Sequence, residues 1–148
     1  MIHICKSTQA HVDGIHTIET LSFPDPWSKS SLSEEIDTAI SIVAVDDSGQ
    51  VLGHISMRHI INEGHISNLA VHPDFRQQGV GHKLLSALVN IAHEKEMIGL
   101  TLEVRVSNQP AIHLYQRHGF ISEGIRKNYY SMPNEDGVIM WKHLEKNL

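Results

Sequence analysis

The chain has 148 residues, a formal charge of −5 with histidine neutral, twelve histidines and one cysteine. That length predicts one domain, 1–148, with a single core and a single site, and the negative balance argues against a nucleic-acid-binding surface while favouring cationic partners. Cys5 alone excludes an intrachain disulfide, no apolar run approaches the roughly 20 residues of a membrane helix, and the opening Met1-Ile2-His3-Ile4-Cys5-Lys6 lacks the pattern of a secretory signal. The expectation is a cytoplasmic protein with no membrane partner, a monomer rather than an obligate oligomer.

Ile2 and Ile4 alternate with polar residues as a first strand, and Val12, Ile15 and Ile18 then recur at helical spacing behind Ser7 or Thr8 as a cap. Pro24 and Pro26 end that helix, and Ser28 caps a second one whose Leu32 and Ile36 share a face. Residues 40–45 and 51–61 are rich in β-branched side chains and flank Asp46-Asp47-Ser48-Gly49, a hairpin turn. A further turn at Asn62-Glu63-Gly64 leads into a strand over 65–71, so the three strands should be antiparallel neighbours.

Leu84, Leu85, Leu88, Val89, Ile91 and Ala92 form the apolar stripe of a helix running from Gly81 to about Glu96 and closed near Gly99. Leu100, Leu102, Val104 and Val106 alternate with Thr101, Glu103 and Arg105 as a two-faced strand. Asn108 then caps a helix over 110–118, Gly119 ends it, and strands over 120–125 and 138–144 close the chain. The order β-α-α-β-β-β-α-β-α-β-β predicts an α+β domain with a mixed sheet.

The most informative stretch is Arg76-Gln77-Gln78-Gly79-Val80-Gly81, between the apolar run Leu69-Ala70-Val71 and the long amphipathic helix. A strand that passes through a glycine-bearing turn into a helix leaves backbone N–H groups free at the helix start, where an anion can bind. Without a Cβ at Gly79 and Gly81, ligand and main chain can approach closely. The stretch has neither the G-x-x-x-x-G-K-[ST] pattern nor a third glycine for G-x-G-x-x-G, which disfavours a nucleoside-triphosphate or dinucleotide site. The histidines do not form a metal motif. The pairs His11/His16, His54/His59 and His113/His118 are spaced five apart, which turns the rings to different sides, and no metal is expected.

The order of elements, the run Leu69-Ala70-Val71-His72-Pro73, the stretch from Arg76 to Gly81, and Asn108 through Tyr115 to Gly119-Phe120 together resemble the GNAT-type N-acetyltransferases. Phe23 with Pro26-Trp27-Ser28, Leu102-Glu103-Val104-Arg105, Ser107-Asn108 and Arg126-Lys127-Asn128-Tyr129-Tyr130 narrow the resemblance to the ribosomal-protein-alanine N-acetyltransferases (RimI-like). One departure is the early loop, Phe23-Pro24-Asp25-Pro26-Trp27, which is two residues longer than the Phe-Pro-Trp of that group.

The resemblance implies a three-layer α/β/α domain with a mixed, mostly antiparallel sheet, and acetyl transfer from acetyl-CoA to an amine. It implies that Gln77, Gln78, Gly79, Val80, Gly81 and His82, with Arg76, hold the pyrophosphate, and that the exposed backbone of Leu69, Ala70 and Val71 binds the pantetheine and polarises the thioester. That strand and the one carrying Glu103 would be splayed apart where the cofactor enters. Glu103 would be the general base, Tyr115 the general acid, and Asn108 a further polar contact to the cofactor. Each also has a plain structural reading: a solvated carboxylate, the amphipathic edge of a helix, and an N-cap.

Trp27, Tyr129 and Tyr130, expected in loops, would either wall the first residues of a peptide or pack a hairpin. The implied acceptor is the N-terminal alanine of a ribosomal protein (small-subunit protein eighteen-like) or another peptide. Small-molecule amines, or a role as a non-catalytic acyl-CoA sensor, are the alternatives.

Elementary energetics constrain these roles. A carboxylate of pKa about 4.3 taking a proton from an α-ammonium of about 7.8 faces roughly 5 kcal/mol, so the acceptor must arrive largely neutral. Near pH 7.4 roughly a quarter of α-amines are neutral, against about a thousandth of lysines. An N-terminal amine therefore suits an ordinary glutamate as base.

Overall fold

The computed structural model describes residues 1–145, so positions 146–148 of the expected 1–148 domain lie outside the described residues. Its elements are β1 (His3–Lys6), a 3₁₀ turn (Gln9–His11), α1 (Val12–Ser22), α2 (Lys29–Thr38), β2 (Ile40–Val45), β3 (Val51–Ile60), β4 (Glu63–Val71), a second 3₁₀ turn (Pro73–Phe75), α3 (Val80–Glu94), β5 (Gly99–Arg105), α4 (Gln109–Arg117), β6 (Ile121–Ser131) and β7 (Asn134–His143). The order of strands and helices is the one expected.

Local chemistry accounts for most boundaries. Ser28 Oγ accepts the Ser31 N–H at 3.1 Å and caps α2 as anticipated. Thr8, by contrast, caps the 3₁₀ turn, where its N–H donates to His11 Nδ1 at 2.9 Å, and α1 begins only at Val12. α3 starts at Val80 from a left-handed Gly79 and ends at Glu94, with Glu96 turning the chain at φ 57. Gly99 therefore does not close the helix. It lies in β5, where a Cβ would strike the Trp141 ring.

Among the described residues the strands form one sheet in the order β1-β2-β3-β4-β5-β7-β6, antiparallel throughout except between β4 and β5. On one face Val80, Leu84, Leu85, Leu88 and Ala92 of α3 and Ile112 and Tyr115 of α4 join Ile55, Met57, Leu100, Leu102 and Met140. On the other, Ile15 and Ile18 of α1 and Leu32 and Ile36 of α2 pack on Val43, Val51 and Ala70. The result is helix, sheet, helix. Each fully buried Leu or Ile stabilises this sandwich by about 1.5–3 kcal/mol.

Two strand boundaries differ from expectation. Ile61 takes φ 58 and, with Asn62, makes the turn, so Glu63 and Gly64 belong to β4. β6 and β7 extend well beyond 120–125 and 138–144, which places Tyr129 and Tyr130 in a strand rather than a loop.

Candidate active site

The parallel pairing of β4 with β5 is short: Glu63↔Gly99, Gly64↔Leu100 and His65↔Thr101. Beyond His65 and Thr101 both strands continue, to Val71 and Arg105, without pairing to each other. A bulge between Ser56 and Met57 of β3, opposite Ser67, bends β4 where the gap opens. Leu69, Ala70 and Val71 thus present an unpaired backbone edge to the gap.

The turn after β4 adds free N–H groups. The first α3 bond runs from Lys83 N to Gly79 O at 3.0 Å, so the N–H groups of Val80, Gly81 and His82 precede the helical ladder. Gln77 at φ 63 and Gly79 at φ 81 are both left-handed, and a Cβ on Gly79 would meet nothing within 4 Å. Gly79 is therefore needed for its backbone conformation, with open space above it. Gly81 has a packing reason as well: its Cβ would come 3.0 Å from Leu114 Cδ2, so the glycine admits α4.

The side chain of Arg76 folds back on the strand, Nε donating to Val71 O at 3.2 Å and Nη2 to Ser22 Oγ at 3.4 Å. His82 pairs with His118 through Nδ1 and Nε2 at 2.9 Å. Gln78 lies exposed in the turn between Gln77 and Gly79.

Glu103 projects from β5 on the α1/α2 face of the sheet, its side chain only 11 % exposed. His65 Nε2 lies 2.8 Å from its Oε2, and Arg126 Nε lies 3.6 Å from Oε1. The alternating strand pattern reveals Glu103 but not His65, which comes from β4 in register with Thr101.

Tyr115 is buried on α4 with its ring edge-on to Phe120 at 5.3 Å. Burial, with Tyr130 a lesser contributor, pushes its hydroxyl well above the ordinary phenol range. Tyr130 is pushed up to about 12, by burial first, then by Tyr129 and Glu103. Asn108 is an N-cap, its Oδ1 accepting the Ala111 N–H at 3.3 Å at the splayed end of β5.

Arg105 ties the early loop to the β6–β7 hairpin, a role that sequence reasoning missed. Its guanidinium lies 4.4 Å over the Tyr130 ring, 3.5 Å from Asp25 of the early loop and 3.2 Å from Glu135 of β7, and it donates to Pro133 O at 2.9 Å. Tyr129 stands edge-on to Tyr130 at 5.0 Å. Trp27 is not brought to these tyrosines. It lines a separate cleft of about 400 Å³ with Pro26, Ser28, Ser31, Glu34, Glu35 and Arg58. Among the described residues no three His, Cys, Asp or Glu side chains converge as a metal site, and no helix is long and apolar enough to cross a membrane.

A splayed parallel strand pair with an anion-ready turn at its mouth matches what known proteins show: the profile of the Acetyltransferase (GNAT) family covers residues 12–120, and the chain belongs to that family. It is an acetyl-CoA-dependent N-acetyltransferase. Among its relatives is a [ribosomal protein bS18]-alanine N-acetyltransferase of Haemophilus ducreyi, 36% identical over 130 residues, covering 86% of this chain and 90% of that one. The enzyme of the same name from Escherichia coli K12 is 32% identical over 125 residues, covering 83% and 84%. A crystal structure of the ribosomal-protein-S18-alanine N-acetyltransferase from Escherichia coli superposes with a TM-score of 0.88 at 28% identity, covering 100% of this chain and 99% of that one.

Proposed function

We propose that the chain works as one domain, 1–148, in the cytoplasm, transferring the acetyl group of acetyl-CoA to the α-amine of the N-terminal alanine of ribosomal protein bS18. The observation that carries this reading is the gap between β4 and β5, open beyond His65 and Thr101, with Glu103 on β5 paired to His65 beside it; Glu103 and Tyr115 are the residues we assign as base and acid. Relatives at 32% and 36% identity that carry the bS18-alanine name support the acceptor.

Acetyl-CoA enters the gap with its pyrophosphate on the N–H groups of residues 77–82 and its pantetheine along residues 69–71. The main chain there also polarises the thioester carbonyl as its oxygen gains charge. A neutral α-amine attacks that carbon, forming the C–N bond. Glu103, held by His65, accepts the proton that the nitrogen sheds, and the C–S bond then breaks. Tyr115 gives the departing sulfur a hydrogen bond and a proton. Burial raises its pKa, which keeps the phenol protonated until that step but makes full proton transfer more uphill, so the hydrogen bond to the developing thiolate is its main contribution. Tyr129 and Tyr130, with Arg105 behind them, wall the acceptor side, while Trp27 lines the separate cleft formed by the early loop, α2 and β3.

The experiment is an acceptor screen with acetyl-CoA, following free thiol and product mass. A peptide with a free N-terminal alanine is acetylated at that amine only, and blocking the amine abolishes reaction even where lysines remain. Efficient turnover of spermidine or of lysine side chains, with none of any alanine-initiated peptide, would establish the small-amine reading instead. Binding of acetyl-CoA with no acceptor at all would establish the sensor.

A further inference from the structure

The opened part of β4 is held from one side by two buried carboxylates that the reaction itself does not use. Glu19 of α1 is 0 % exposed and Glu35 of α2 is 3 % exposed. Asn68 Nδ2 donates to Glu19 Oε1, and Ser67 Oγ donates to Glu35 Oε1 at 3.3 Å. Consecutive residues of a strand normally point to opposite faces, so one helical layer cannot grip both. The bulge removes that obstacle. Met57 pairs with Ile66 and Ser56 with Asn68, leaving Ser67 as the extra residue, and both Ser67 and Asn68 turn toward α1 and α2.

Each carboxylate also reaches β3. Arg58 Nη2 lies 2.8 Å from Glu35 Oε2, and His54 Nε2 lies 3.0 Å from Glu19 Oε1, though off the line of a hydrogen bond. Among the described residues Glu19 Oε2 has no hydrogen-bond partner, and a cavity of about 10 Å³ lined in part by His54, Ser56, Asn68 and Glu35, room for about one water, adjoins this cluster. Burying two carboxylates is costly unless each is bonded, so their presence where an apolar pair would pack equally well calls for a role beyond filling space.

That role follows from position. The grip begins within three residues of the last β4–β5 pair, His65↔Thr101, and ends one residue before Leu69. Beyond that pair β4 has lost β5 as a neighbour, so side-chain bonds to the helices replace the missing ladder on that flank.

We propose that Glu19 and Glu35 are positioning residues which, through Asn68 and Ser67, draw the bulged segment of β4 toward α1 and α2 and so fix the backbone of residues 69–71 against acetyl-CoA. The inference rests on the acetyl-CoA reading of the gap. It further couples the cofactor strand to the two helices that carry the early loop, so the acceptor wall and the thioester are positioned by one unit.

An exchange of amide and acid tests it. Glu19→Gln and Asn68→Asp each destroy the amide-to-carboxylate bond, and the double variant rebuilds it with the roles reversed. Each single variant should raise the acetyl-CoA KM and lower kcat, about tenfold in kcat/KM, and the double variant should return to within about threefold of wild type. Ser67→Ala, a milder change that keeps the Glu35–Arg58 pair, should raise the acetyl-CoA KM about threefold with the thermal midpoint nearly unchanged. If the single variants lower the thermal midpoint but leave KM and kcat alone, or if the double variant is no better than either single, the clamp is merely structural. Should the singles fail to fold, the Ser67→Ala KM decides alone, and an unchanged value overturns the proposal. Failure of wild-type protein to turn over acetyl-CoA would instead sink the reading beneath it.

Discussion

The two sides of the β4–β5 gap are built in different ways. The side we propose for the cofactor is one continuous run of chain, residues 69–82, whose properties come from backbone: an unpaired strand edge, two left-handed turn residues and the first N–H groups of α3. The side proposed for the acceptor is assembled from distant segments that meet through side chains, with Arg105 joining Asp25, Tyr130, Pro133 and Glu135. A backbone device tolerates many side chains and serves a constant cofactor, whereas side-chain ties can be retuned to a particular acceptor. Substitutions on the two sides should therefore fail differently.

The largest effect is expected where the two sides meet. Glu103→Gln and Tyr115→Phe should each lower kcat by about 10² to 10⁴ while leaving the acetyl-CoA KM nearly constant, as steady-state kinetics with both substrates varied would reveal. Losses below about threefold in both would demote the pair to structure.

Arg105→Gln should come next, and it separates the two sides most cleanly. Removing the guanidinium frees Asp25, Tyr130 and the β6–β7 turn together, so the peptide KM should rise about tenfold with the acetyl-CoA KM within about twofold. Equal increases in both constants would dissolve the distinction.

On the cofactor side, Gly79→Ala places a Cβ in open space but at φ 81, so the loss is conformational, about 1–2 kcal/mol of stability by denaturant titration, with a smaller loss of acetyl-CoA affinity. Gly79→Asn should recover part of it, since asparagine tolerates the left-handed region. Gly81→Val is a poorer probe because its side chain would meet Leu114 and disturb the seat of α4.

The smallest effect concerns pH. Burial raises the folded-state pKa of Tyr115 and Tyr130, so the native state holds these protons more tightly than the unfolded chain. Their contribution to stability should be complete below about pH 10, where the unfolded phenols are still protonated, and lost as pH rises through the folded values, about 12 for Tyr130. The thermal midpoint should fall above about pH 10, while kcat/KM, once the amine is neutral, stays level from about pH 9 to 10. An earlier alkaline loss of rate would remove Tyr115 from the reaction.

The same contrast explains what the sequence made legible. The glycine turn, the Ser28 and Asn108 caps, the α3 stripe and the alternation around Glu103 are local signals, and the structure carries each of them. The clamp at Ser67 and Asn68 depends on a bulge whose pairing is set by β3, and His65 meets Glu103 only because β4 and β5 run side by side for a short distance. β6 was expected to be short because its second half, Arg126-Lys127-Asn128-Tyr129-Tyr130, lies on the sheet edge with little burial, so apolar alternation is missing where the strand continues. The glycine spacing marks Gly81 for close approach, while its tight fit against Leu114 depends on a contact made across the fold.

The most direct measurement is a crystal structure of the protein with a conjugate in which CoA is joined through an acetyl bridge to the α-amine of an alanine-initiated peptide. The pantetheine should lie between β4 and β5, the pyrophosphate on the N–H groups of residues 77–82, the alanine nitrogen within reach of Glu103 directly or through one water, and the sulfur beside the Tyr115 hydroxyl. A conjugate bound elsewhere, or bound with its nitrogen turned away from Glu103, would contradict the account.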